Sequence, residues 1–335
     1  MGDSSILAEF AEALRSGSVD GSINIAKGTV RVLSRLVRDC NAHTVIGLLD
    51  YVRSSGNHLV RTKPQELVIG NIVRRVLAIV RSAHVDEGHV SEDGTMSTLG
   101  DHIDLNDPLT PSMREAVELE MSELSEEIDL TLTNVTQYAK DHIRSSEVIL
   151  TFGKSSSVLS FLVAGGGSRD VSVVVAESGP QRHGHDMCAL LAQRGIRATL
   201  IPDSHVFAIM PLVNKVIIGT QAVLADGGIL GYTGSHNIAA CAQAHAVPVI
   251  VVAGLFKFSP LYAFSQDTLN AHKRPSDIMA YEDSCSTQIH IYNPAFDYVS
   301  PTYITLYITN VGPYSPSYVY RLLSESYHQA DLDLK

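Results

Sequence analysis

The sequence predicts an α/β protein in which an amino-terminal helical domain is joined by a long helix to a doubly wound parallel sheet. Three observations carry this. Apolar residues recur every three or four positions through the first 85 residues, the period of a helix with one buried face. One apolar stripe then continues from Met113 to Ile143. After Glu147, short β-branched runs alternate with helical patterns, the order expected of parallel strands linked by crossover helices. The divisions that follow are a helical domain 1–85, an acidic linker or insertion 86–109, a connecting helix 110–145 and a sheet domain 146–335.

In the helical part, Ile6, Leu7, Phe10 and Leu14 share one face of a short helix, and Val30, Leu33 and Val37 one face of a second. Pro64, suited to a first helical turn, opens a third helix. Val68, Ile72, Val76, Ile79 and Ala83 lie along one side of it and Arg74, Arg75 and Arg81 along the other. Such a basic stripe is expected to be a solvated face or a partner contact, with nucleic acid the lesser alternative. Residues 86–107 carry seven Asp and Glu, no Lys or Arg, and few apolar residues, and read as a mobile linker.

Thr110-Pro111 caps the long helix. Its stripe (Met113, Val117, Met121, Leu124, Ile128, Leu132, Val135, Ala139, Ile143) has an eleven-residue rhythm, close to the natural period of a straight helix. At 1.5 Å per residue this predicts a rod on the order of 50 Å. A free coiled coil is disfavoured, because the 3.5-residue period and flanking charge pairs are missing.

Strands are predicted at 148–152, 171–176, 198–201, 216–219 and 249–252, with helices near 155–164, 184–194, 204–212 and 234–245. The strands are apolar on both faces, as a sheet covered on both sides requires. Ligands of such sheets bind at the carboxyl ends of the strands, here 153–157, 178–186, 203–205 and a long loop 220–235.

Composition narrows the function. With 335 residues, 45% of them hydrophobic, the chain can bury a sizeable core without metal or disulfide staples. Its 25 Lys and Arg against 36 Asp and Glu give −11, which excludes a chain-wide basic footprint for nucleic acid. Cys40, Cys188, Cys241 and Cys285 are widely spaced with no CxxC pair, so neither a disulfide framework nor a zinc module is expected. The start, Met1-Gly2-Asp3-Ser4, has no basic segment ahead of an apolar one, and Ile6 stands where myristoylation needs Ser or Thr. The longest apolar run, from Ala246 to Phe256, falls short of the ~20 residues of a membrane span. The expected location is the cytosol, with no DNA and no membrane as partner.

The crevice offers no convincing catalytic set. Gly153-Lys154-Ser155 follows a strand and opens a helix, but the second glycine of a phosphate loop would fall on Val148. Backbone amides at this helix start can still hold an anion. His183, His185 and Asp186 cluster, with His205 or His236 as further zinc ligands; the better reading is a helix start with Asp186 favoured by the dipole. Asp226-Gly227-Gly228 signals a turn, and Asp226 as a general base has no partner in the sequence. Neither a cofactor nor a metal is expected.

Three stretches are distinctive: Gly70-Asn71-Ile72-Val73-Arg74-Arg75-Val76-Leu77, the run from Val213 through Leu224-Ala225-Asp226-Gly227-Gly228 to His236, and the run from Ile304 to Pro316-Ser317-Tyr318-Val319-Tyr320-Arg321-Leu322. They resemble the regulatory alpha, beta and delta subunits of eukaryotic translation initiation factor 2B and the related sugar-phosphate isomerases, from about residue 25 to 327. The last run favours the beta type. The resemblance implies a Rossmann-like carboxyl-terminal domain and a place in a decameric guanine-nucleotide exchange factor. The chain would pair most directly with a delta-type subunit, alongside alpha, gamma and epsilon. It would help bind initiation factor 2 through that factor's alpha subunit and sense its phosphorylation. Exchange itself would belong to epsilon.

The isomerase relatives imply a residue-level contrast. Their catalytic cysteine aligns with Gly153, their catalytic aspartate with Gln221, their phosphate-binding Arg-Pro with Gly179-Pro180, and their Asn-Lys pair with Gly231-Tyr232. These replacements cannot do acid–base work or hold phosphate strongly. The expected function is therefore a non-catalytic regulatory subunit, with a ribose phosphate isomerase as the alternative. Tyrosines crowd the end of the chain, and aromatic anchors with a polar tip suit interfaces. Tyr314, Tyr318, Tyr320 and Arg321, with His185, are the candidate subunit interface, while Tyr307, in a strand pattern, is expected in the core.

Overall fold

A computed structural model describes residues 2–88, 106–167, 169–265, 269–281 and 288–334. Four helices, not three, make up its amino-terminal part: α1 (Gly2–Ser16), α2 (Ser22–Asp39), α3 (Val45–Thr62) and α4 (Leu67–Gly88). Helix α2 buries Val30, Leu33 and Val37 on one face, the spacing read from the sequence. Helix α3 has no counterpart in that reading, although its buried Val45, Leu48, Leu49, Val52 and Leu59 recur at helical spacing. A Cβ on its Gly56 would come within 2.5 Å of Val73. The residue that weakens α3 as an isolated helix is thus what lets it lie close against α4. Pro64 sits in the turn before α4, which begins at Leu67 rather than at the proline.

Helix α5 (Pro111–Gln137) starts where expected, because the Thr110 hydroxyl accepts the Met113 amide at 3.1 Å. Thr110→Ala is expected to cost about 1 kcal/mol, read as a lowered urea midpoint; an unchanged midpoint would show that the cap contributes nothing. The rod is shorter than expected, 27 residues or about 40 Å. It breaks at Tyr138 before the short α6 (Ala139–His142). Its stripe is buried except at Leu132, where Thr131 turns inward instead.

The main sheet has seven strands in the order β10-β9-β7-β4-β1-β2-β3: β1 (Val148–Phe152), β2 (Ser172–Ala176), β3 (Arg197–Ile201), β4 (Lys215–Gly219), β7 (Val249–Val252), β9 (Leu306–Ile308) and β10 (Pro313–Tyr314). All neighbours are parallel except β10. Helices α7 (Ser156–Gly166) and α8 (His183–Gln193) link β1 to β2 and β2 to β3, and α10 (Ser235–Ala244) precedes β7. The helix expected at 204–212 is irregular, with the four-residue α9 (Val206–Ile209) between single turns at Asp203–His205 and Met210–Leu212. Ile149, Phe161, Val173, Met187, Ile217, Val252 and Ile308 belong to one buried cluster with Val135 of α5. Because β2 and β3 lie on one side of β1 and β4, β7 and β9 on the other, the switch point falls between β1 and β4, where such sheets place their crevice.

The expected loop 220–235 is instead a hairpin. Strands β5 (Ala222–Val223) and β6 (Ile229–Tyr232) pair, and β6 pairs again with β8 (Phe296–Val299) in a separate antiparallel sheet. Its partner strand β8 pairs Ile229 with Val299 and Tyr232 with Phe296, too far along the chain for local pattern alone to reveal it.

Contacts group the residues up to Asp129 with those from Arg321 onward as one unit, and Leu130–Tyr320 as another. Residues from Arg321 onward thus group with the helices, whereas the sequence reading put 146–335 together; α11 (Val319–Ser326) is their first element. The same grouping overturns the reading of the arginine stripe as a solvated or partner-binding face. Arg74 is 5% exposed and donates to the Leu332 carbonyl at 3.0 Å, Arg75 pairs with Glu127 at 2.9 Å, and Arg81 pairs with Asp331 at 2.6 Å. Carboxylates and carbonyls of the chain itself take these cations. Residues 89–105 of the acidic stretch, and Cys285, lie outside the described residues. No described helix is long and apolar enough to cross a membrane.

Candidate functional site

Strand β1 ends in Phe152 and the backbone turns at Gly153 with φ +69°, a region that only glycine enters without strain. Ser155 then caps α7 by accepting the Val158 amide at 3.4 Å. A Cβ at Gly153 would stand 2.4 Å from the ring of Tyr232. Two of the positions singled out in the sequence, 79 residues apart, are therefore in contact. The Tyr232 ring also lies 5.1 Å from that of His183 and 6.5 Å from that of Phe296, and Lys273 Nζ is 5.8 Å from its centroid. An aromatic side chain of the protein occupies the space above the end of β1. Lys273 is half-buried, and burial lowers its pKa, though Asp277 opposes this.

The end of β2 is likewise occupied from within. The amides of Ser178 and Gly179 donate to the two carboxylate oxygens of Asp203 at 2.9 and 2.8 Å. An anion offered to these amides would have to displace a carboxylate, so the site disfavours phosphate. Asp186 is in the first turn of α8, as read, but it also pairs with Lys154 at 3.0 Å. That hydrogen bond and charge hold its carboxyl below the usual range. Lys154, the cation of the suspected phosphate loop, is thereby engaged.

At the end of β4, the Thr220 hydroxyl donates between the carbonyls of Ala222 and Leu230 at 2.7 and 2.8 Å, and buried Lys257 donates to the Thr220 carbonyl at 2.7 Å. Gln221 donates its amide to the Leu230 carbonyl at 2.8 Å, which closes the hairpin. Gly231 lies in β6 opposite Asp297, and a Cβ there would meet Ser235 Oγ at 2.5 Å. The Asp297 carboxylate in turn accepts the amide of Gly234 at 2.7 Å, ahead of α10. Asp226 accepts the Tyr298 hydroxyl and the Gly228 amide. Burial first, then Asp226, pushes the Tyr298 phenol well up, so it stays a donor. Asp226 pins a turn. Among the described residues no group of three or more His, Cys, Asp or Glu has the geometry to hold a metal ion; the ring of His183 packs on Tyr232, and His236 Nδ1 lies 3.0 Å from the Tyr298 carbonyl.

Tyr314 and Tyr318 stack at 4.9 Å with their planes 7° apart, and Tyr320 is 71% exposed. Arg321 pairs with Glu325 at 2.9 Å. Tyr318 lies in the turn Pro316–Tyr318 that precedes α11. His185, exposed in the first turn of α8, is not brought to the tyrosines; it follows β2, five strand positions from β10, or about 24 Å. Tyr307 is fully buried in β9 and donates to the Gly227 carbonyl at 2.6 Å. Asp203 lies at a strand end read as part of the crevice, though without its role, whereas Lys273 and Phe296 have no signal in the sequence, because each reaches the crevice from a distant segment with no motif around it.

A helical unit and a doubly wound sheet whose strand ends are occupied by the chain's own side chains define a Rossmann-like protein. The chain belongs to the initiation factor 2 subunit family, whose model matches residues 18–316. It is similar to translation initiation factor eIF2B subunit beta of Dictyostelium discoideum, 33% identical over 96% of this chain and 95% of that protein. The crystal structure of eIF2B beta from Chaetomium thermophilum matches with a TM-score of 0.80 and 25% identity, covering 99% of this chain and 94% of the other. A chain of the tetrameric eIF2B beta2–delta2 complex of C. thermophilum matches at 0.74 and 25%, covering 98% and 96%. Ribose 1,5-bisphosphate isomerase of Archaeoglobus fulgidus is less similar, 24% identical over 97% of this chain and 95% of that protein.

Proposed function

We propose that this chain is a beta-type, non-catalytic regulatory subunit of the guanine-nucleotide exchange factor for translation initiation factor 2. It assembles with a delta-type subunit and with alpha, gamma and epsilon subunits. It contributes to the core that binds initiation factor 2 through its alpha subunit and senses phosphorylation there, in the cytosol. The likeness to beta subunits over nearly the whole chain supports this, and a relative found in a beta2–delta2 tetramer supports the delta-type partner.

The observation that carries the non-catalytic half is the Tyr232 ring seated on Gly153. Gly153, Gly179, Gln221, Gly231 and Tyr232 provide neither a thiol nor a carboxylate, and the amides at the end of β2 are held by Asp203. The stacked Tyr314 and Tyr318, exposed Tyr320 and Arg321 form the subunit interface in this reading, with His185 as a separate contact.

Co-expression with a delta-type subunit tests the proposal. A stable complex is expected by native mass measurement, weakened by Tyr318→Ala with Arg321→Ala. A partner-free monomer overturns the assembly, and undisturbed assembly of the double variant overturns the interface. Turnover of a ribose phosphate by the pure protein, abolished by Gln221→Ala, would establish the isomerase alternative instead.

A further inference from the structure

The helical unit contains a cationic cradle whose occupant comes from the other end of the sequence. The Asp331 side chain is 0% exposed, yet it is a carboxylate. Arg81 meets it through two nitrogens at 2.6 and 3.1 Å, and Arg53 reaches it at 2.9 Å while also pairing with Asp50 at 2.7 Å. Arg74 donates to the Leu332 carbonyl and Asn57 to that of Leu334. Gly70 leaves room for this cradle, since a Cβ there would stand 3.0 Å from the Arg74 guanidinium. The arginines come from α3 and α4, and the groups that satisfy them lie some 250 residues later.

Charged groups are buried only when paired. Without the tail, Arg74 and Arg81 would lose the groups that satisfy them and Arg53 would keep only Asp50, and a guanidinium held out of water without a partner is costly. We propose that the segment from Arg321 onward is a carboxyl-terminal latch for which Arg53, Arg74 and Arg81 form the receptor, and that docking of this latch completes the helical unit. During synthesis the helices emerge first but cannot close until Leu130–Tyr320 has been made and the latch follows. The distinctive Gly70–Leu77 stretch thereby acquires a role within the chain: it holds the chain's own tail.

Hydrogen exchange followed by mass spectrometry on the full chain tests this. The tail amides of Tyr327, Ala330 and Asp331 are bonded to Leu323, His328 Nδ1 and the His328 carbonyl and so report opening. In the unaltered chain they should exchange at one common rate with the amides of α4, and faster than those of β1 and β4. Asp331→Asn, which keeps the shape and removes the charge, should speed exchange of both the tail and α4 at least tenfold and leave β1 and β4 within twofold. Adding Arg81→Gln, which removes the cation that Asp331 had paired, should slow it again. Tail amides that open while α4 stays protected, or an Asp331→Asn, Arg81→Gln double variant no slower than Asp331→Asn, would overturn the latch.

Discussion

Asp331→Ala is expected to destabilise the helical unit by about 3–5 kcal/mol, the usual cost of removing one partner from a buried ion cluster. Most of that cost is the stranding of Arg81, while Arg53 keeps Asp50, rather than the loss of the bonds as such. The substitution also removes a pH dependence. Burial alone would raise the Asp331 carboxyl, but hydrogen bonds from Arg81 and Arg53 and their charges outweigh it and hold the group below 3.8. A depressed folded pKa stabilises above the unfolded value and the contribution is lost as pH falls through the folded one. The contribution of Asp331 to stability should therefore be level from neutrality down to about pH 4 and fall below it. Chemical denaturation of the unaltered chain and the variant across this range checks both points. The variant should start lower and lack this acid-dependent loss. Equal midpoints at neutral pH would show that the carboxylate is not carrying the cluster.

Gly153→Cys is expected to cost about 2–5 kcal/mol, combining the strain of a side chain at φ +69°, about 1–2 kcal/mol, with overpacking of about 1–3 kcal/mol. The overpacking is specific, because the new Cβ would stand 2.4 Å from Tyr232. Adding Tyr232→Ala should recover that part, so the double variant should be more stable than the two single losses predict, by about 1–3 kcal/mol. A double-mutant cycle in urea measures it. Additive losses would mean that the ring does not fill the crevice.

These residues also mark how far the sequence could be read. The core of the sheet was legible: strands 148–152 and 249–252 match β1 and β7 residue for residue, because doubly buried strands are continuous apolar runs bounded by turns. The Thr110 cap and most of the α5 stripe were legible for the same local reason. Helix α3 was only partly legible, because Gly56 stands at one position of its apolar face. The hairpin β5–β6 was not, since β6 is completed by β8 across an irregular stretch. At the crevice, residue types identified Gly153 and Tyr232 as departures from the isomerase pattern, but not that one sits on the other.

What the sequence by itself determined was the class of each segment and the family, since hydrophobic period, caps and motifs are properties of neighbours along the chain. What only the tertiary structure decided was how the charges were spent. Arg74, Arg75 and Arg81 read as a surface because a sequence displays a cation without its partner. Their partners, at Leu332, Glu127 and Asp331, lie 50 to 260 residues away, and burying a guanidinium is stable only where the fold returns a carbonyl or carboxylate to it.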